Sequence, residues 1–239
     1  MTMGERVRKS ASDGNGKPAG AASLAIDRKS INQALTLGFS KLTGNAFVPD
    51  AFEFYWQAPT PVYDPARAKQ LLAEAGHPRG FNGGEFYCDS SYSNVAEAIL
   101  NNLGEVGIQI RLRPIERAAF LKEFSEKKYK NLVLAGSGAF GNAATRMSPF
   151  VVKGGAYVYG SYSDLDELFA KQAVELDHAK RAAILEKMQQ MIEQRTLAAP
   201  IWQLAFINGV GPRVGESGFG LIRSFAYTGP YEDITIKGS

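Results

Sequence analysis

Few residues in this chain are of a type and spacing that could do chemistry. Gly136-Ser-Gly138-Ala-Phe-Gly141 matches the G-x-G-x-x-G pattern that lets a backbone approach a pyrophosphate, and it follows the strand-like run Asn131-Leu-Val-Leu-Ala135. The rest of that fingerprint is missing. Pro149 falls where the phosphate-holding helix should run, and no acidic residue ends a following strand at the required distance. Ser137 lacks the G-x-S-x-G surround of a hydrolase elbow. A nucleophile would need a base, yet His77 sits in a turn after Gly76 and His178 opens a helix, with no partner motif and no H-E-x-x-H metal spacing. Both read as solvated side chains. Cys88 is the single cysteine, which excludes an intramolecular disulfide and a paired-thiolate zinc site. The sequence therefore assigns no catalytic residue, no metal and no cofactor. A nucleotide-binding oxidoreductase using the Gly136–Gly141 loop stays as the alternative.

What survives is geometrical, because open α/β sheets place ligand crevices at the carboxyl ends of strands, where glycines admit a ligand to the backbone. Phe140, Phe150, Tyr157, Tyr159, Tyr162 and Trp202 could line such a crevice, though aromatic residues more often build cores. The net charge of +3 is too balanced for a dedicated nucleic-acid binder. Arg111–Lys130 mixes seven Lys/Arg with three Glu and reads as a solvated face.

The elements that must position these residues follow from period and punctuation. Residues 1–22 are polar and Gly/Ser-rich without an apolar face, which predicts a disordered tail with neither a secretory signal nor an apolar span. Residues 23–208 read as one α/β lobe. Asp27 caps a helix ending near Gly38, and Asp64-Pro65 starts a second, stopped by Gly76. Gly84–Ala135 reads strand, helix, strand, helix, strand, with Ile108, Ile110 and Leu112 alternating against Gln109, Arg111 and Arg113. Two helices, about Asp164–Leu176 and Asp177–Arg195, precede a strand-like Pro200–Phe206. Interleaving of this kind predicts an open mixed sheet with flanking helices and at least one parallel pair.

Several segments together resemble the extracytoplasmic solute-binding proteins of peptide-type ABC importers, family 5, which includes oligopeptide, dipeptide and nickel binders. Leu24-Ala-Ile-Asp-Arg-Lys-Ser-Ile31 is similar to that family's Ala-Ile-Asp-Arg helix start. Tyr63-Asp-Pro-Ala-Arg-Ala-Lys-Gln-Leu-Leu-Ala-Glu-Ala-Gly76 is the most specific match, followed by His77-Pro78 and Gly80-Phe81. Leu103–Leu112 resembles its helix-to-strand step. Leu165-Asp166-Glu-Leu168, Glu175-Leu-Asp177, Arg181, Glu186 and Gln189 resemble the pair of helices before its proline-led strand, here Pro200-Ile-Trp202.

The resemblance implies the second lobe of a two-lobed, type II periplasmic binding protein, with the first lobe missing and the chain truncated. Residues 209–239 would return to that first lobe. It implies hinge closure on a peptide or similar small polar solute, delivery to ABC permease subunits in the membrane, no nucleic-acid partner, and a periplasmic or extracytoplasmic location, although this chain shows no export signal. Ligand-facing positions then fall on the Gly136–Asn142 loop and beside Trp202. Phe140 and Trp202 would form walls, Ser137 and Gly138 would lie on the loop, Asn142 and Gln203 would supply neutral hydrogen bonds, and Arg146 would anchor an anionic group. Where relatives often carry an aromatic residue and an acid that meets a peptide amino terminus, this chain has Ser137 and Phe140. A non-catalytic interaction module, with its interlobe face on another chain, is a further alternative.

Overall fold

The computed structural model describes residues 17–136, 138, 141–160, 162–222 and 228–238. Chain order gives α1 (Lys17–Leu24), α2 (Arg28–Thr36), α3 (Pro65–Glu74), β1 (Phe81–Asp89), α4 (Ser93–Glu105), β2 (Ile108–Ile115), α5 (Arg117–Ser125), β3 (Leu132–Leu134), α6 (Ala143–Val151), α7 (Ser163–Val174) and α8 (His178–Gln194). The strands form one sheet in the order β2-β1-β3, parallel throughout. Among the described residues, antiparallel pairing is confined to isolated bridges, Lys41 with Gln203 and Val214 with Ile236.

Alternation along the strands sends side chains to two cores. Phe86, Cys88, Leu132 and Leu134 join Val95, Ile99 and Leu103 of α4, with Ile26, Ala68 and Leu72 behind them. Tyr87 and Val133 face the other way, into an aromatic cluster of Phe120, Phe124, Tyr129, Tyr157 and Tyr159. The Tyr87 and Tyr129 rings stack at 4.4 Å. A third cluster, including Met147, Leu165, Leu185, Met188 and Ile192, joins α6, α7 and α8 to Phe47 and Val48. The sheet is thus covered on both faces, which is why β3 is apolar from end to end. Where the α4–β2 turn meets the start of β1, a Cβ on Gly80 would lie 2.0 Å from the Gly107 carbonyl oxygen, and Gly80 has φ +77.

The expected caps at Asp27 and Asp64 form, accepting from the Ser30 and Arg67 N–H groups. Three expectations change. The tail gives way at Lys17 to α1, because Ala19, Ala21 and Ala22 are small enough to bury tightly beside α3, where Gly20 meets Leu71 and Lys17 pairs with Glu74. A stripe of small residues gives α1 little amphipathic signal. Residues 1–16 lie outside the described set. Second, Pro200–Phe206 makes only the bridge through Gln203, because Lys41 is the residue it meets there and no strand runs alongside. Third, the loop after β3 does open a helix: α6 carries Pro149 in its last turns, seven residues in. No helix among the described residues is long and apolar enough to cross a membrane.

The Ala25-Ile26-Asp27-Arg28 motif is a junction. Ala25 and Ile26 are core residues, Asp27 caps α2 and donates its N–H to Asn102 of α4 at 3.0 Å, and Arg28 is 3% exposed. The Arg28 guanidinium gives Nε to the Pro200 carbonyl at 2.6 Å, Nη1 to the Ser23 and Ile26 carbonyls, and Nη2 to the Ser23 hydroxyl. Burial pushes its pKa down to about 10, so it remains a cation, held by carbonyl dipoles. Arg28→Met should cost about 3 kcal/mol in urea unfolding, since buried acceptors lose a charged donor, and Arg28→Lys should restore less than half because a point charge cannot span the same oxygens. Midpoints unchanged by Arg28→Met would refute the junction.

Candidate functional site

Parallel strands all end on the same side of a sheet, so the turns after β1, β2 and β3 share one edge. At the end of β1, Asp89 is 1% exposed and caps the 3-10 turn Ser90–Tyr92, accepting the Ser91 N–H at 3.0 Å. Just after β2, Arg117 opens α5 and donates Nη1 to Asp89 Oδ2 at 2.6 Å. After β3, Gly136 lies beneath Tyr92, and a Cβ there would come within 2.6 Å of the Tyr92 hydroxyl. Three consecutive strand ends are therefore knitted together by Asp89, Arg117 and Tyr92. The Asp89 side chain is 2% exposed and that of Arg117 60%, which leaves a guanidinium facing solvent with a buried carboxylate behind it.

Burial pushes the Asp89 pKa up, but the Ser91 N–H and hydroxyl and the Arg117 guanidinium together bring it below its ordinary value. The Arg117 pKa is raised, first by its hydrogen bond to Asp89 and to a lesser degree by Tyr92.

The expected site residues are distributed differently from the sequence reading. Ser137 and Phe140 lie outside the described residues. Gly138 is exposed, with nothing near the position of a Cβ. Asn142 sits at the expected end of the loop, but its side-chain oxygen is spent capping α6, accepting the Ala144 and Thr145 N–H groups while Thr145 Oγ1 accepts the Asn142 N–H. Ala143 N–H goes to the Glu53 carbonyl at 3.0 Å. The first three N–H donors of α6 are therefore occupied, and it is this closure, not the lack of a helix, that denies a pyrophosphate its seat.

Arg146 needs correction. It is 4% exposed, turned into the α6–α8 core with Nε on the Phe47 carbonyl at 2.8 Å and its guanidinium over Phe52. Trp202 is half-buried against the sheet core, which Tyr92 also flanks. Gln203 exchanges backbone hydrogen bonds with Lys41, and its side-chain amide pairs with the Asp50 backbone N–H and carboxylate. Asp50 also takes Lys41 in an ion pair. Phe150, Tyr157 and Tyr159 are partly buried and pack against the aromatic cluster, and Tyr162 packs against the α6–α8 core. His178 is exposed beside Glu53, and His77 leans on Phe81. Burial raises the Cys88 thiol to about 11, which makes it inert. Among the described residues no group of His, Cys, Asp and Glu could hold a metal.

Sequence reading missed Asp89, Tyr92 and Arg117. The signal was present, because the strand-end rule applied to β3 applies equally to β1 and β2. A separate cavity of about 240 Å³ opens between α1, α8 and the crossing segments, lined by Trp56, Pro59, Met147 and Ile192. Two of its polar side chains, Asn45 and Gln189, bond to each other and to the backbone of residues 47–56.

Comparison with known proteins follows the same lines. The family model described as bacterial extracellular solute-binding proteins, family 5 Middle, matches residues 20–157, more than half of the chain. Heme-binding protein A of Haemophilus influenzae is 24% identical over 213 residues, 84% of this chain and 38% of that protein. The dipeptide-binding protein of Escherichia coli is 23% identical over 189 residues, 74% of this chain and 35% of that one. The periplasmic binding protein DppA of Helicobacter pylori, solved with the peptide STSA, superposes with a TM-score of 0.74 at 21% identity, covering 84% of this chain and 41% of that one. The chain spans little more than a third of the length of the curated relatives it matches.

Asp89→Asn should lower stability by about 2 kcal/mol near neutral pH, the scale of hydrogen bonds to a buried charge. A carboxyl whose folded pKa is depressed stabilises above its unfolded pKa, here near 3.8, and that contribution is lost as pH falls through the folded value. The urea-midpoint gap between wild type and Asp89→Asn should therefore close in strong acid. A gap that stayed constant would show that Asp89 does not act as a carboxylate.

Proposed function

Because the chain belongs to family 5 of the bacterial extracellular solute-binding proteins, we propose that it forms one wall of a solute-capturing cleft in an ABC importer. The captured molecule is a peptide or similar small polar solute, held between this α/β unit and a second lobe and passed to permease subunits in the membrane. The location is periplasmic or extracytoplasmic. The observation that carries this reading is the carboxyl edge of the sheet, where three turns bring hydrogen-bonding groups and exposed backbone together.

In this reading the wall is built from the 89–92 turn, Arg117 and Gly136, with Trp202 bordering the same core. Exposed apolar side chains on the return segment and beyond, including Phe206, Ile207 and Val210, fit a surface that meets further polypeptide. Closure of two lobes follows from contacts that exist only when both face the solute, so each lobe alone holds it weakly.

The closed N-terminus of α6 weighs against the oxidoreductase alternative. Thermal unfolding of the chain with a pooled mixture of di- and tripeptides, and separately with NAD and FAD, tests the choice. Peptides at millimolar concentration should raise the midpoint by about 2–4 °C and the dinucleotides should leave it unchanged. A rise with a dinucleotide and none with peptides would overturn the reading.

A further inference from the structure

We propose that the cavity between α1 and α8 is a second ligand site, which takes a small amine carrying one aromatic ring, with the ring inside and the ammonium at Glu193. The site is independent of the strand-end edge, and the solute-binding reading stands or falls without it. Two helix faces and two loop passages enclose about 240 Å³. Gly20, Ser23 and Leu24 lie one turn apart on α1, and Gln189, Ile192 and Glu193 have the same spacing on α8. Phe47, Met147, Ile192 and Ala198 are buried and make an apolar floor, while Trp56 and Pro61 are half-buried at the opening. An apolar cavity of roughly 150 Å³ is enough to accept benzene, so this space admits one ring with a short arm.

The walls are set before a ligand arrives. A Cβ on Gly44 would collide with the Pro59 carbonyl, so the two passages cross at backbone contact. Asn45 Nδ2 donates to Gln189 Oε1 at 2.7 Å, the Trp56 backbone N–H donates to the same oxygen at 3.1 Å, and Gln189 Nε2 donates to the Phe54 carbonyl at 2.8 Å. Both passages are thereby fastened to α8, and collapse onto the empty space would break these bonds. Charge then selects the ligand. Glu193 is the single charged side chain among the described residues that line the cavity. It is exposed and takes part in no ion pair among the described residues. The cations of the α1 region are committed elsewhere: Lys17 pairs with Glu74, and Arg28 binds the Ser23 and Pro200 carbonyls without itself lining the cavity. Trp56 adds an indole ring, whose face attracts an ammonium. An apolar interior with an acidic rim suits a cation that has an apolar body and disfavours an anion of the same shape.

The test titrates the ¹⁵N-labelled chain at neutral pH with phenethylamine, 2-phenylethanol and phenylacetate, probes of similar size that are cationic, neutral and anionic. Phenethylamine should move the Trp56 indole N–H signal and the amide signals of residues 20–24, 44–47 and 189–196. Its affinity should be about five-fold higher than that of 2-phenylethanol, the scale of one exposed ion pair with a ring contact, and phenylacetate should bind most weakly. Glu193→Gln should bring phenethylamine down to the affinity of the alcohol. Glu186→Gln, which removes the same charge from α8 at a position that does not line the cavity, should leave the preference intact. Equal affinity of amine and alcohol for the wild-type chain, a preference that survives Glu193→Gln, or its loss in Glu186→Gln would overturn the role of Glu193. Shifts confined to other parts of the chain, or none with any of the three probes, would overturn the site.

Discussion

A single buried cation determines where the two ends of the sheet-bearing unit meet. Arg28 stands 172 residues from Pro200, yet its Nε lies 2.6 Å from the Pro200 carbonyl, and the same guanidinium binds the Ser23 and Ile26 carbonyls. A guanidinium inside a protein must find oxygens on several sides or cost several kcal/mol in lost hydration. Here two passages of the chain supply them as backbone dipoles. The Pro200–Phe206 segment is therefore brought back beside the α1–α2 turn, Gln203 can bridge to Lys41, and Trp202 reaches the sheet core. Asp27 extends the junction by tying α2 to α4, which carries the largest part of the buried helical face under the sheet.

From that junction outward, geometry follows from the sheet. Strands in the order β2-β1-β3, all parallel, deliver three turns to one edge, and each turn contributes a different property. The first gives a buried carboxylate, the second an exposed guanidinium, the third glycine backbone under a tyrosine ring. The aromatic cluster on one face of the sheet and α4 on the other keep the strand ends rigid, so polar groups that meet there do so without ordering loops afresh. The glycine loop that looks most like a cofactor motif is closed by Asn142 and Thr145, whereas the arginine that looks like part of a solvated basic stretch stands at the open part of the edge.

How much of this was legible in the sequence depends on which force dominates at each residue. Caps at Asp27 and Asp64 and the alternation along β2 could be read because local hydrogen bonding and period two decide them. The helix of Lys17–Leu24 could not, because alanine and glycine give almost no periodic contrast, and what orders them is the proximity of α3. Pro149 suggested a stop, but a proline late in a nine-residue helix removes one donor and is tolerated. Pro200–Phe206 has the composition of a strand and lacks only a partner strand, which no local pattern reveals. Arg117 is solvated, as its basic stretch predicts, whereas Arg146 is not. Charge argues for the surface, but the tertiary position of the Phe47 carbonyl draws Arg146 inside, and the burial of Asp89 is what gives Arg117 its place.

The central claim is that the carboxyl edge of this sheet is the solute-facing wall. Hydrogen–deuterium exchange of the chain with and without pooled di- and tripeptides addresses it most directly, because bound solute suppresses local opening where it sits. Slower exchange confined to residues 89–92, 117–119 and the described part of 136–142 is the expected pattern. Protection centred instead on the cavity beside Trp56 and Gln189, with the strand-end turns unchanged, would contradict it.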